Sequence, residues 1–129
     1  MTWATARKNV GKLIGVNPVR VRGRWTGGGA ATDCTRTSGR GITSVKYNSA
    51  TGRYIITFDN VGEVFLGALF SVQGAAGAAA SFAARPTVYS AANKTLTIDV
   101  TDFATPTNHD LALTEILTID AEWDDSDAA

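Results

Sequence analysis

Residues 41–59 read Gly-Ile-Thr-Ser-Val-Lys-Tyr-Asn-Ser-Ala-Thr-Gly-Arg-Tyr-Ile-Ile-Thr-Phe-Asp, and no other stretch narrows the fold of this chain as much. Two runs rich in β-branched and aromatic residues flank Asn48-Ser-Ala-Thr-Gly52, whose glycine suits the left-handed position that closes a short hairpin loop. Side chains alternate along an extended strand, so Tyr54, Ile56 and Phe58 share one face while Arg53, Ile55, Thr57 and Asp59 share the other. One side of this hairpin is built for burial. The expectation is an antiparallel β domain.

The same grammar recurs on both sides of it. In residues 18–25, Val19, Val21 and Trp25 line one face with Gly23, and Arg20, Arg22 and Arg24 line the other. Residues 62–73 are apolar on nearly every position, which suits a strand covered on both faces or bent at Gly67 between two sheets. A bare face there would mark a subunit interface. A second hairpin spans residues 87–101, turning at Ala92-Asn93-Lys94, with Leu96, Ile98 and Val100 inward and Thr95, Thr97, Asp99 and Thr101 outward. Residues 111–123 supply the last strand, with Leu117, Ile119, Ala121 and Trp123 inward and Thr118, Asp120 and Glu122 outward. Between these runs, residues 26–41, 74–86 and 102–110 read as loops: polar and glycine-rich, rich in alanine with room for one helical turn, and centred on Pro106 and His109 respectively. Six or seven short strands in a 129-residue chain make one all-β domain, an antiparallel β-sandwich or barrel over residues 17–123. An extended N-terminal arm, residues 1–16, precedes it, and an acidic tail, residues 124–129, follows.

Formal net charge is zero, but residues 1–53 hold ten basic residues and one acidic, whereas residues 54–129 hold two basic and eleven acidic. Either basic and acidic strands lie side by side in one sheet, or the opposite poles meet between subunits. Three arginines on one strand face also match anionic oxygens such as phosphate. The charge division favours pairing of Arg20, Arg22 and Arg24 with Asp120 and Glu122 instead. Protein contacts are expected at those arginines, at Trp3, Arg7, Lys8, Lys12, Leu13 and Ile14 of the arm, at Phe82, which plugs a pocket of its own core or of a neighbour, and at Asp124, Asp125 and Asp127 of the tail.

Chemistry-bearing motifs are thin. The glycines of residues 27–41 lack the Lys-Ser/Thr and the strand-to-helix context of a phosphate loop. Cys34 has no histidine near it in sequence, and His109, between Asn108 and Asp110, lacks further ligands at metal-site spacing and reads as a solvated loop residue. No catalytic residue, metal or cofactor is expected. The arm has too few cations and too little stacking surface to make nucleic acid the expected partner, and no stretch approaches the ~20 apolar residues of a membrane span. The start of the sequence lacks the order of a signal peptide, and the lone cysteine suits synthesis in a reducing cytoplasm.

The order of a glycine-rich loop, Gly41-Ile-Thr-Ser-Val-Lys-Tyr, a Thr-Gly turn, Arg53-Tyr-Ile-Ile-Thr-Phe-Asp, Thr95-Leu-Thr-Ile-Asp-Val-Thr and Asp110-Leu before an acidic last strand resembles small structural proteins of tailed bacteriophages. The resemblance covers residues 20–123, and the basic arm departs from the shorter patterns. It implies a capsid decoration, or cement, protein: β-rich, homotrimeric, synthesised in the host cytoplasm and bound to the major capsid protein on the virion surface where capsomers meet. A tail or spike accessory domain and a small ligand-binding β-barrel module are the alternatives. A chain of this kind would act by adhesion, with no reaction taking place on it.

Overall fold

The computed structural model describes residues 18–59, 64–74 and 82–124. Among these residues the chain forms nine strands and no helix: β1 (Pro18–Thr26), β2 (Thr35–Arg40), β3 (Ile42–Tyr47), β4 (Arg53–Phe58), β5 (Val64–Gln73), β6 (Phe82–Ser90), β7 (Thr95–Asp102), β8 (Thr107–Asn108) and β9 (Ile116–Asp124). They pair antiparallel into two sheets, β2-β1-β9-β5 and β3-β4-β7-β6, with the two-residue β8 added to β7. The arrangement is a β-sandwich, one of the two architectures that the alternation in the sequence allows.

The hairpin of β3 and β4 turns as its sequence dictates. Asn48 N–H donates to Arg53 O at 2.9 Å and Arg53 N–H to Ala50 O at 3.0 Å, with Ser49 and Gly52 both at positive φ. A side chain at Gly52 would meet Val100 O at 2.6 Å, so the position demands glycine for space as well as for its φ of 74°. The inward rows then close on each other. Tyr54, Ile56, Ile98, Val100, Leu117, Ile119 and Trp123 are wholly buried, and each such aliphatic side chain contributes about 1.5–3 kcal/mol by leaving water.

At one end of the sandwich, Trp123 gathers an aromatic corner. Its indole N–H donates to Tyr89 Oη at 3.0 Å, Phe58 meets it edge-on at 4.6 Å, and Phe65 stacks on Tyr89 at 4.5 Å. This corner ties β5 of the first sheet to β6 of the second. Trp25, the other large indole of the core, keeps its Nε1 buried without a hydrogen-bond partner among the described residues.

The described residues form nine strands where six or seven were expected, and four further expectations change. Residues 26–41 are not one surface loop, because Thr35–Arg40 pairs with β1 as an edge strand. All six of its residues are exposed, and so no apolar alternation announces it. The alanine-rich stretch ends earlier than expected, since β6 already begins at Phe82, and its Pro86 sits at a register shift on an edge strand, where a missing N–H costs least. The loop of residues 102–110 contains β8. The last strand begins at Ile116 instead of residue 111 and runs through Asp124, because the backbone of residues 111–115 is taken up in closing the end of the sandwich: Leu111 N–H donates to Tyr54 Oη at 2.7 Å and Gly27 N–H to Glu115 O at 2.9 Å.

Candidate interaction surface

Strand register places the outward residues of the first sheet in cross-strand rows. Arg40, Arg22, Asp120 and Leu69 form one row, and Ser38, Arg24, Thr118 and Ser71 the next. Towards the other end, Arg20 lies opposite Glu122, and Pro18 opposite Asp124, which in turn faces Val64. This face therefore grades from basic on β2 and β1, through acidic on β9, to apolar on β5.

The expected pairing with the last strand holds for Arg20 and Arg22, with a shift of partner, and not for Arg24. Asp120 takes both hydrogen bonds of Arg20, from Nε at 3.0 Å and from Nη2 at 2.7 Å, on the diagonal and not directly across the ladder. Arg22 Nε reaches the same carboxylate at 3.4 Å. These contacts, led by the hydrogen bonds from Arg20, hold the Asp120 carboxyl below the usual carboxylate range, and Asp120 in turn raises the Arg20 guanidinium. Glu122 adds only through-space attraction to Arg20. Arg24 donates to the neutral Gln73 Oε1 at 3.2 Å. One carboxylate thus serves two arginines, and a third is bonded to an amide.

The apolar side of the face is bare. Val64, Leu66 and Leu69 of β5 are 47%, 53% and 74% exposed, and the register shift between Phe65 and Gly67 turns the strand so that Phe65 and Ala68 face the core while Leu66 and Leu69 face out. A shallow groove of about 270 Å³ runs between the two leucines and Arg20, Asp120 and Glu122. A second, of about 320 Å³, lies on the basic side between Arg22, Arg24, Ser38, Gly39 and Thr118. Gly39, at a φ of 99°, floors it: any side chain there would run into Arg22 O.

Comparison of the chain with protein-family models, with curated proteins and with solved structures found no match.

The other residues singled out from sequence fall elsewhere. Phe82 plugs its own domain, stacked parallel on the His109 ring at 4.1 Å. His109 is correspondingly not a solvated loop residue. Its Nε2 lies 2.7 Å from Glu115 Oε1, which also accepts from Ala112 N–H at 2.6 Å. Glu115 is buried, and this pair locks the loop that leads into β9; nothing in the local sequence joins residues 109 and 115, because loop closure brings them together. Cys34 is buried too, and burial followed by the nearby Asp33 charge pushes its thiol up to about 12, so it is protonated at neutral pH. Among the described residues no three His, Cys, Asp or Glu side chains gather as a metal site would require, and no helix is long and apolar enough to cross a membrane. The arm, with Trp3, Arg7, Lys8, Lys12, Leu13 and Ile14, and the tail residues Asp125 and Asp127 lie outside the described residues.

Proposed function

We propose that this protein is a structural virion component that decorates a phage capsid, binding the major capsid protein at capsomer junctions and stabilising the shell without performing a reaction. The observation that carries this reading is the bare row of Val64, Leu66 and Leu69 on the edge strand β5, set against a charged ladder on β9 and β1. An exposed apolar row on a sheet edge is an aggregation hazard unless a partner covers it. The interior supports the same reading, because Trp123, Tyr54 and the aliphatic rows fill it and leave contacts to be made on the outside. Leucines of this size gain about 25 cal/mol per Å² of apolar surface removed from water, so a shared junction with many copies accumulates useful binding from a modest patch. Self-association into a homotrimer belongs to the proposal, as does a place on the capsid surface.

Electron microscopy of particles assembled with a labelled copy tests it. Label distributed over the head at capsomer junctions is the expected result. Label confined to a single vertex or to the tail would move the protein to an accessory role there, and absence of label from particles would end the proposal.

A further inference from the structure

The basic groove on β1 and β2 holds more positive charge than the described residues around it answer. Arg22 shares Asp120 with Arg20, Arg24 is bonded to the amide of Gln73, and Arg40 stands directly across from Arg22. Arg22 and Arg24 are two residues apart on one strand face, so their guanidinium groups start about 7 Å apart. An extended Asp-x-Asp segment presents its carboxylates at that same spacing. The chain carries one at Asp125-Ser-Asp127, directly after β9.

The geometry points to the acidic tail of a second copy as the occupant of this groove, with Asp125 and Asp127 set against Arg22 and Arg24. In that register the tail of the same copy falls short. Asp124 is paired with Pro18, four residues before Arg22 and six before Arg24, which is about 13 and about 20 Å along the strand. Asp125 and Asp127 extend at most about 4 and about 11 Å beyond Asp124, so between Cα positions each falls roughly 10 Å short of the arginine it is set against even if the chain reverses at once, and Asp127 comes level only with Arg22. In the proposed contact each copy gives its tail to one neighbour and receives one from another. That is a head-to-tail contact, which closes into a ring when the rotation allows.

A nucleic-acid strand has a similar charge spacing, but the rest of this face disfavours it. Asp120, Glu122 and Asp124 line the adjacent strand, and no aromatic side chain points outward among the described residues of the face. The inference rests on the reading of the protein as an assembly component, and it is tested without a shell.

Sedimentation velocity of the full chain separates the outcomes. Wild type should self-associate at low salt and dissociate towards about 1 M salt, where the screening length falls to about 3 Å. Asp125→Asn/Asp127→Asn should weaken association about tenfold, and Arg24→Gln, which leaves no carboxylate unpaired, severalfold. The decisive pair is Arg22→Glu/Arg24→Glu and Asp125→Lys/Asp127→Lys. Each alone should be dissociated, and an equal mixture should associate again, since each groove then meets a tail of opposite sign. Circular dichroism and thermal midpoints confirm that all variants are folded. A mixture that stays dissociated, a tail variant that associates like wild type, or an oligothymidine that competes for the groove better than a peptide of residues 121–129 would overturn the inference. A wild type that remains monomeric would overturn it as well, while leaving shell binding to be judged on the labelled particles.

Discussion

Asp120 and Asp99 are both gripped by arginine on a neighbouring strand, one on the outer face of each sheet, and the two faces differ around them. Asp120 sits in an open charge ladder beside bare leucines. Asp99, 3.1 Å from Arg53 and in register with Arg85, is buried although it points away from the core. Around it, Thr95, Thr97 and Thr101 of β7 present hydroxyls, and the exposed Val88 is separated from Ile55 by Thr97. The second sheet has covered its outward carboxylate Asp99 and scattered its apolar groups. The first has left both accessible, and the proposed adhesion rests on that difference.

Trp123→Ala removes the corner that both sheets share and should destabilise by about 3–5 kcal/mol in urea unfolding, damaging the two faces together. A loss below about 1 kcal/mol would mean that the sheets do not depend on that corner. Asp99→Ala leaves Arg53 without its buried partner and should cost about 1–3 kcal/mol, clearly more than Asp120→Ala, whose pair is solvent-screened. Equal losses would erase the contrast between the faces. Leu66→Ser/Leu69→Ser should change stability by no more than about 0.5 kcal/mol while weakening association, because these side chains contact little of their own chain. The acid limb should report Asp120. Its carboxyl is depressed from an ordinary value of 3.8, so its contribution is complete above that value and is lost as pH falls below it. Asp120→Asn should flatten that part of a stability profile measured from pH 5 downward. Cys34, its thiol pushed up by burial, should react with a thiol reagent at pH 8 only at the rate of opening, and quickly once unfolded.

The core was legible because alternation encodes it: the inward residues of β4, β7 and β9 are those that period two selects. The charge division made the contact between Arg20 and Asp120 expected, although register alone would have matched Arg20 with Glu122. What escaped was written in pairing. β2 has no apolar residue to alternate, and it exists because β1 offers an edge. The stacking of Phe82 on His109, and the grip of His109 on Glu115, depend on where two loops close, which no spacing along the chain states. Asp99 was correctly placed on the outer face, but its burial arises from the arginines either side of it.

The central claim is that the outer face of the first sheet is the adhesive one, and co-sedimentation with capsid shells lacking this protein tests it most directly. Leu66→Ser/Leu69→Ser should stay in the supernatant while Ile55→Ser/Val88→Ser on the other sheet pellets with the shells like wild type. Retention of the leucine variant together with loss of the second would contradict the account.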